Sequence, residues 1–391
     1  MRPVIVVGAG PVGLTAALAL ARAGLPVTVL EAGPALAAES RASTFHPPTL
    51  EMLAALGVGE ALHERGLIAP VFQYRDRHEG VVAELDLALL AADTPYPYRL
   101  QCEQSKLTPL LLEALGRLPD TDVRFGHPVI GVAHLPGGVE VRLADGGRRH
   151  GDWVVAADGA HSAVRRSLDL PFDGVTYPER FLVLSVDEDL AGALPDLASV
   201  TYVLDPDEWL VLLRTPDHWR VLLPVPDAST DDAAELDPAH IADRLRGVAG
   251  PGRDRRVVAS SLYRVHQRVV PTFRAGRVLL AGDAAHVNNP LGGLGMNSGI
   301  HDAVALADAL ARVVGGAPDT VLDAAAGERR RVAADFVGAA AHRNRERLRT
   351  TDPRARATHH AELRALAADP RRARAHLLRT SMIASLRSGT P

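Results

Sequence analysis

The fold is decided by a stretch near the start of the chain, Val4–Glu31, which reads VIVVGAGPVGLTAALALARAGLPVTVLE. Its first four residues are β-branched, which is typical of a strand buried on both faces of a parallel sheet. An Ala- and Leu-rich segment follows to about Ala23, with Gly24 where a helix C-cap is expected. Val27–Leu30 repeat the pattern of the first strand. The stretch therefore predicts a βαβ unit, with which doubly wound α/β folds begin.

Between the strand and the helix lies a glycine turn of the form GxGxxG. In such a turn Gly8 permits the tight bend, Gly10 lets the backbone approach a pyrophosphate, and Gly13 lets helix and strand pack closely. The phosphates would sit at the helix N-terminus, where free N–H groups attract anions. Glu31 ends the second strand, where its carboxylate can accept hydrogen bonds from an adenosine ribose. The predicted dinucleotide site comprises Gly8, Gly10, Pro11, Val12, Gly13, Glu31 and Ala32.

A second strand–loop–helix element, far along the chain, favours FAD over a nicotinamide nucleotide. A buried strand, Arg277–Ala281, ends in Gly282-Asp283, and the loop PLGGLGMN at Pro290–Asn297 leads to a helix predicted from about Gly299. A carboxylate after a strand can hold the hydroxyls of a ribityl chain. Loop glycines let backbone amides come close to a flat, electron-accepting ring. We therefore expect one FAD, held between the strand ends that carry Gly10 and Asp283.

The middle of the chain differs from its two ends in the secondary structure that its sequence predicts. Residues 175–226 contain four predicted strands without intervening helices: Phe181–Val186, Val200–Leu204, Trp209–Leu213 and Arg220–Val225. This pattern predicts an antiparallel sheet inserted as a lobe into an α/β fold. The predicted FAD-binding domain comprises 1–70, 101–174 and 266–391, including C-terminal helices. The predicted substrate-binding β-sheet domain comprises 71–100 and 175–265.

Composition narrows the classes of function. The chain has 391 residues, 47% of them hydrophobic, and a formal net charge of −4, so we expect a large core and no nucleic-acid partner. A single cysteine, Cys102, excludes an intramolecular disulfide, and no run of 18 apolar residues predicts a membrane span. We expect a cytoplasmic protein, monomeric or homodimeric. Because neither a Cys/His zinc spacing nor a G-x-S-x-G motif occurs, we expect no metal and no serine nucleophile.

Arginines crowd the last part of the chain. From Glu328 onward there are 15 arginines and six acidic residues. Two interpretations are open: the solvated faces of amphipathic helices, or a basic surface that attracts the phosphates of NADPH.

Three separated motifs together resemble the single-component (class A) FAD-dependent aromatic monooxygenases of the p-hydroxybenzoate hydroxylase type. They are the GxGxxG turn, the segment ADGAHSAVR at Ala157–Arg165, and Gly282-Asp283 with its PxGGxGxN loop. The resemblance spans nearly the whole chain. It implies an α/β fold with a Rossmann-like (GR2-type) FAD-binding domain, an inserted antiparallel β-sheet substrate domain and C-terminal helices. It also implies an enzyme that uses NADH or NADPH and O2 to hydroxylate a small aromatic, phenolic or polyketide-like substrate through a flavin C4a-hydroperoxide.

The resemblance also assigns contacts to FAD. Arg41 would contact the phosphate or ribityl portion, Gln104 the ribityl chain, and Asp283 the ribityl hydroxyls. Asp158 belongs to a segment linked to both FAD and NAD(P)H binding. The remaining implied residues, several of which would line the isoalloxazine, are Gly282, Gly292, Gly293, Gly295, Met296 and Asn297.

A phenol reacts faster as phenolate, so a base or proton relay is expected near the flavin. The candidates are His46, Tyr202, Arg214 and His218. Each has a structural alternative: His46 as a loop histidine without substrate contact, Tyr202 as a packing residue, and the other two as solvent-facing. The resemblance implies in addition that Pro290 lies over the flavin, with its carbonyl toward the substrate.

Other functions stay open on the sequence alone. A flavin reductase that saturates carbon–carbon double bonds would use the same scaffold without oxygen uptake. A flavin-binding scaffold without turnover is a third reading, although the intact Gly-rich loop argues against it. A flavin-dependent tryptophan halogenase is disfavoured, because the Trp-x-Trp-x-Ile-Pro element is missing.

Overall fold

A computed structural model describes residues 2–38, 42–225, 231–250, 255–338 and 352–387. Its first sheet contains β1 (Val4–Val7), β2 (Val27–Leu30), β8 (Thr121–Arg124), β12 (Trp153–Ala156), β18 (Arg274–Ala275) and β19 (Val278–Leu280). The strands lie in the order β18-β19-β12-β1-β2-β8 and are parallel, except that β18 runs antiparallel to β19. All four residues of β1 are buried, as its β-branched sequence predicts.

The second sheet has eight strands: β5 (Val71–Asp76), β6 (Gly80–Asp86), β13 (Asp173–Val186), β14 (Val200–Leu204), β15 (Leu210–Arg214), β16 (Trp219–Val225), β17 (Val257–Val269) and β20 (His286–Val287). Their order is β20-β17-β13-β16-β15-β14-β5-β6. The predicted antiparallel arrangement holds except at one pair, because β14 runs parallel to β5. The β5–β6 hairpin comes from an earlier part of the chain, so no tight turn forces β5 to run against β14.

The remaining strands form two small sheets of three strands each. One contains β3 (Thr44–Phe45), β4 (Leu67–Ala69) and β7 (Arg99–Gln101), with β7 in the middle. The other is the meander β9 (Val129–Leu135), β10 (Gly138–Leu143) and β11 (Arg148–Gly151).

The helices are α1 (Pro11–Arg22), α2 (Pro47–Ala55), α3 (Gly59–His63), α4 (Gln104–Gly116), α5 (Ala163–Ser167), α6 (Asp232–Glu235), α7 (Pro238–Ala249), α8 (Leu294–Val314), α9 (Thr320–Arg331), α10 (Pro353–Ala368), α11 (Pro370–Thr380) and α12 (Ile383–Arg387). A π-helical segment, Val332–Val337, continues α9. An Asp-Pro step starts α7, α10 and α11, and in each the aspartate side chain accepts backbone N–H groups of the first turn.

The eight-stranded sheet is covered on both faces. Its outer face, which includes Leu212, Val221 and Leu223, packs against Ile241 and Leu245 of α7. The inner face carries Phe72, Tyr74, Phe181, Tyr202, Val211 and Leu222. It shares a buried cluster with Leu291 of the late glycine loop and with Leu363, Leu377 and Ile383 of the C-terminal helices.

The C-terminal helices therefore pack on the eight-stranded sheet. Four of their arginines form ion pairs with the 71–100 segment: Arg356 with Asp76, Arg364 with Glu79, and Arg374 and Arg387 with Asp93. The assignment of 266–391 to the FAD-binding domain stays a prediction. An Arg- and Leu-rich helix carries no signal of which neighbour it will cover. No helix within the described ranges has both the length and the apolar character needed to cross a bilayer.

Candidate active site

The candidate site lies at the edge of the six-stranded sheet where the carboxyl ends of its parallel strands meet. β19, β12 and β1 are neighbours, so the ends of β1 and β19 are two strand spacings apart, roughly 10 Å. The Gly8, Asp158 and Gly282 turns follow β1, β12 and β19 at this edge. The two distant motifs that carry Gly10 and Asp283 are thus brought to one place.

Val12 joins these motifs physically. A Cβ built on Gly282 would lie 2.9 Å from a Val12 side-chain methyl, and one built on Gly299 of α8 would lie 2.6 Å from the same methyl. Since real Cβ atoms do not approach so closely, both positions require glycine while Val12 stays in place. Val12 therefore packs in the joint between α1, α8 and the Gly282 turn.

The glycines of the first turn divide into two kinds. Gly8 has φ +103°, and a Cβ there would lie 2.5 Å from the carbonyl oxygen of Ala157. At Gly13 a Cβ would lie 2.0 Å from the carbonyl oxygen of Gly8. Around Gly10, by contrast, no described atom lies within 4 Å of the built Cβ. The packing of the chain explains Gly8 and Gly13, whereas the open space at Gly10 is where a pyrophosphate would approach.

Glu31 braces the same turn. One carboxylate oxygen accepts the backbone N–H of Ala9 at 2.7 Å, and the other accepts that of Gly33 at 2.8 Å. A carboxylate has capacity for about four such bonds, so a ribose contact remains compatible with this brace. Glu31 thus fixes the glycine turn, and its contact with an adenosine ribose stays a prediction.

The late glycine loop runs directly into α8. Gly292 and Gly293 have φ of +104° and +67°, and α8 begins at Leu294, earlier than the start predicted near Gly299. Gly295, Met296 and Asn297 consequently lie in the first turn of α8 rather than in a loop. The glycine content suggested a longer loop, but only Gly292 and Gly293 adopt a left-handed backbone. Neither α1 nor α8 has a side-chain cap, which leaves N-terminal N–H groups available to a ligand.

Asn297 and His46 hold this loop against β3. The Asn297 amide donates to the carbonyls of Thr44 (2.8 Å) and Gly293 (2.6 Å), and its oxygen accepts the backbone N–H of His46 at 2.9 Å. Asn297 is fully buried, so its side chain shapes the loop from behind. The imidazole Nε2 of His46 lies 2.9 Å from the carbonyl oxygen of Gly292.

His46 is a poor general base in this setting. Burial, together with the charge of Arg99, lowers its pKa to about 3, so the ring is neutral at physiological pH. A neutral ring must donate from Nε2 to the Gly292 carbonyl, which leaves Nδ1 as an acceptor. That Nδ1 is buried and has no recorded hydrogen-bond partner. The geometry supports a role for His46 in positioning the loop, and the proposed base role stays a prediction.

A buried charge network, missed by the sequence analysis, fixes the Gly282 turn to α8 and α9. Asp302 accepts from Nε2 of His286 (2.7 Å), Nε of Arg329 (2.7 Å) and the backbone N–H of Gly282 (3.2 Å). Burial opposes its negative charge, but Arg329 and His286 hold the pKa of Asp302 below its usual value. The available signal was the acidic Asp302 directly before the apolar run Ala303–Ala307.

Asp158 stabilises the turn in which it lies by a hydrogen bond from the turn's backbone. One carboxylate oxygen accepts the backbone N–H of Val164 at 3.1 Å, and the other is buried without a recorded hydrogen bond. Burial raises the pKa of Asp158, while hydrogen bonds from Ser162 and the 163–164 backbone counteract this. Arg165 ties the same segment to the late motif, donating to the carbonyl of Ala284 at 3.1 Å.

Of the four remaining predicted cofactor residues, three belong to the described part of the chain. Asp283 and Ala32 are exposed, and Gln104 is half-buried as the first residue of α4. Arg41 lies outside the described residues. The predicted contacts of these four with FAD stay predictions.

The substrate-side candidates separate onto the two faces of the eight-stranded sheet. Tyr202 is on the inner face, stacked on Tyr74 (5.5 Å between centroids) and edge-on to Phe72 (6.2 Å). Arg214 instead lies 5.9 Å over the ring of Trp219, which belongs to the outer face. Pro290 is half-buried, and its carbonyl accepts the N–H of Gly293 at 3.0 Å.

His218 belongs to a charged cluster at the β15–β16 turn. Its Nε2 lies 3.8 Å from the carboxylate of Glu103, which Lys106 also approaches at 3.0 Å. Burial lowers the pKa of His218, with Glu103 acting in the opposite direction. The ring is half-buried rather than solvent-facing, so the structural alternative predicted for it was wrong in this respect.

Two buried arginines near the site were not predicted. Arg99 of β7 and Arg220 of β16 are 2% and 7% exposed. Neither Nε has a recorded hydrogen-bond partner. For Arg220, a lone Arg in an apolar strand pattern is the signal that could have found it, because cations are rarely buried unpaired.

The residues present fit FAD. The edge of the sheet offers two uncapped helix N-termini, the open space beside Gly10, the Glu31 carboxylate and the exposed Asp283 carboxylate. These are an anion site flanked by acceptors for hydroxyl groups, as a dinucleotide requires.

A family model described as an FAD binding domain matches residues 1–340. The chain belongs to this FAD-binding family. It is 36% identical to para-nitrophenol 4-monooxygenase of Pseudomonas sp. (strain WBC-3), over 90% of this chain and 88% of that protein. It is 37% identical to 6-hydroxy-3-succinoylpyridine 3-monooxygenase of Pseudomonas putida (strain DSM 28022 / S16), over 88% of each.

A crystal structure of p-nitrophenol 4-monooxygenase from Pseudomonas putida DLL-E4 superposes with a TM-score of 0.92 and 35% identity, covering 99% of this chain and 98% of that one. The resemblance to FAD-dependent aromatic monooxygenases and the predicted fold class are therefore confirmed. This member of the FAD-binding family is an FAD-dependent monooxygenase, and the carbon–carbon double-bond reductase alternative is not favoured.

Proposed function

We propose that this monooxygenase hydroxylates a small phenolic ring, with NADH or NADPH as its reductant and O2 as its oxidant. Two relatives that match nearly the whole chain are named for small single-ring substrates, a nitrophenol and a hydroxylated pyridine. A polyketide-like substrate is the alternative within the same reaction class.

The observation that carries the proposal is that the inner face of the eight-stranded sheet and the late glycine loop belong to one buried cluster. Phe72, Tyr74 and Tyr202 form one aromatic wall, and Leu291 of the late glycine loop belongs to the same buried cluster. An aromatic ring held between such a wall and that loop would be stacked and shielded from water.

Bound FAD supplies the redox chemistry, accepting electrons from the reductant and activating oxygen for transfer. The contribution of the chain is to hold the ring, exclude water and orient the loop. His46 and Asn297 fix the loop through Gly292 and Gly293, as their hydrogen bonds indicate. The Asp302 network fixes the Gly282 turn on the other side.

A cluster of basic side chains supports the use of a phosphate-bearing reductant. Arg268, Arg264 and His161 lie close enough to His266 for their charges to lower its pKa, after the larger effect of burial. Arg268 and His266 both contact the hydroxyl of Thr176, at 3.0 and 2.9 Å. Since His161 belongs to the Asp158 segment, this cluster adjoins the FAD site and suits a transiently bound pyrophosphate.

The test is a screen of the purified, FAD-loaded enzyme. NADH or NADPH oxidation should accelerate when the correct phenol is added, with one O2 consumed and one hydroxylated product formed per productive turnover. The panel should contain phenols, hydroxybenzoates, hydroxypyridines and phenolic polyketides. The proposal fails if no aromatic compound changes the rate, or if the product is a saturated double bond formed without oxygen uptake.

A further inference from the structure

Arg99 is a buried cation for which the described part of the chain provides no anion. Only 2% of the residue is exposed. Its Nε has no recorded hydrogen-bond partner, and no carboxylate among the described residues is recorded in an ion pair with it. Its one recorded contact of this kind is with an aromatic face, since the guanidinium lies 4.3 Å over the ring of Phe72. Stacked in this way, the group keeps its in-plane N–H donors free at its edges.

Other buried or partly buried arginines in this molecule have a negatively charged partner or neighbour. Arg329 is bonded to Asp302, and Arg244 on the outer side of the sheet donates to Glu208. Burial lowers the pKa of Arg220, but Tyr263 and Glu103 lie close enough to oppose this. Burying an uncompensated charge is costly, so positions that keep one are candidates for ligand contact.

The position of Arg99 adjoins the active site from two sides. Its charge contributes to the low pKa of His46. The Nε2 of that ring lies 2.9 Å from the carbonyl oxygen of Gly292 in the late glycine loop. On the other side, Phe72 belongs to the aromatic wall with Tyr74 and Tyr202. Arg99 therefore lies where β7, the late glycine loop and the inner face of the eight-stranded sheet meet.

We infer that Arg99 is a substrate-binding residue that recognises a negatively charged or negatively polarised oxygen group on the aromatic substrate, such as a carboxylate or a nitro group. A planar guanidinium matches a planar pair of acceptor oxygens, and the aromatic wall accepts the attached ring. This inference rests on the proposed function and narrows its substrate class to acidic or acceptor-bearing aromatics.

The experiment compares ligands of equal shape and different charge. 4-Hydroxybenzoate, 4-hydroxybenzamide, 4-nitrophenol and 4-methylphenol are titrated into the FAD-loaded enzyme, and the change in flavin absorbance gives each Kd. The wild type should bind the carboxylate or the nitro compound at least about 10-fold more tightly than its neutral or apolar counterpart. In Arg99→Met this preference should disappear, through a rise of roughly 10- to 100-fold in the Kd of the favoured ligand. Arg99→Lys should retain part of it.

Thermal unfolding without substrate provides a second readout. Removing an uncompensated buried charge should leave the melting temperature of Arg99→Met equal to or above that of the wild type. The matched control is Arg244→Met, a partly buried arginine with carboxylate partners, which should unfold at lower temperature and keep the ligand preference.

Two results would overturn the inference. One is a wild-type enzyme that binds neutral and oxygen-anion ligands equally well or hydroxylates only neutral aromatics; the proposed function would then stand without this role for Arg99. The other is an Arg99→Met variant that unfolds at a lower temperature and keeps the preference, which would make Arg99 structural. An enzyme whose NAD(P)H oxidation responds to no aromatic compound at all would instead remove the proposed function itself.

Discussion

At the carboxyl ends of β1, β12 and β19 the molecule presents backbone groups, whereas the inner face of the eight-stranded sheet presents side chains. The flavin half is built from left-handed glycines, uncapped helix N-termini and carboxylates that brace turns. The sheet half is built from rings and cations contributed by β5, β7, β14 and β16. A cofactor common to a whole family can be held by backbone, while a particular substrate needs its own side chains.

The two halves also differ in how they treat buried charge. Within the described ranges, Asp302 in the flavin half has three hydrogen-bond partners, whereas Arg99 at the margin of the sheet half has only an aromatic ring. A permanently held cofactor allows its surroundings to be neutralised within the protein. A substrate that enters and leaves can supply the missing charge itself. The predictions that follow test this difference.

The largest effect is expected for Asp302→Ala. It would leave Arg329 and His286 buried without their acceptor, which costs about 3–5 kcal/mol of unfolding free energy. Urea unfolding of the purified protein measures this loss. Asp308→Ala, an exposed residue on the same helix that lies 3.9 Å from Arg312, is the control and should change stability by less than about 0.5 kcal/mol. Similar losses in both variants would contradict the described network.

A second test separates packing from cofactor binding within the glycine turn. Gly13→Ala should destabilise the protein by roughly 3 kcal/mol and abolish FAD retention, because its Cβ would meet a backbone carbonyl at 2.0 Å. Gly10→Val should keep the fold of the apoprotein but bind FAD at least about 10-fold more weakly, since its side chain enters the space kept for phosphate. Flavin content and urea unfolding are measured for both. A Gly10→Val protein with wild-type flavin content would refute the placement of the cofactor.

The flavin half should also dominate the response to acid. His46 and His301 have pKa values of about 3 because they are buried, against an ordinary value of 6.5. Between pH 6.5 and 3 the unfolded chain binds protons that the folded one does not, so stability falls as the pH is lowered. Each histidine should lower the free energy of unfolding by about 2 kcal/mol when the pH falls from 7 to 5. The lowered carboxyl pKa of Asp302 acts only at more acidic pH.

The variant that isolates this effect is His301→Gln, which can keep the hydrogen bond to Thr49. The difference in unfolding free energy between pH 7 and pH 5 should be about 2 kcal/mol smaller in this variant than in the wild type. Urea midpoints at pH 7 and pH 5 provide the measurement. An unchanged difference between the two pH values would show that His301 titrates normally in the folded protein.

The smallest effect is expected in the sheet half, for Tyr202→Phe. Within the described residues its hydroxyl has no recorded hydrogen bond, and its ring is held by Tyr74 and Phe72. Stability should change by less than about 0.5 kcal/mol, and kcat by less than about threefold. Tyr202→Leu, which removes the ring, should lower stability measurably. A fall in kcat of about 100-fold in Tyr202→Phe would instead support the proton-relay role proposed from the sequence.

The sequence predicted the flavin half well because each of its motifs is short and constrains the backbone. Gly8 and Gly282 have positive φ and Gly13 packs on the Gly8 carbonyl, so each of the three could be recognised from its own segment. The start of α8 was misplaced because Gly295 resembles a loop residue but takes part in a helix. The roles of Asn297 and Asp302 depend on partners far away in the chain, and no local pattern carries that information.

The sheet half was predicted as a set of strands but not as a surface. The strands follow from alternating sequence, yet the position of β5 beside β14 and the face chosen by Trp219 depend on the assembled sheet. Arg99 stands out only when Phe72 and His46 are seen beside it. The packing of α10 and α11 on this sheet was likewise invisible from their composition.

The ion pairs that join α10–α12 to Asp76, Glu79 and Asp93 have a consequence for synthesis. A ribosome makes these helices after all eight strands, so the aromatic face of the sheet stays uncovered until translation of this region is complete. Nascent chains should therefore need protection from aggregation during that interval. The order in which the polypeptide is made thus places closure of the substrate side after synthesis of the whole eight-stranded sheet.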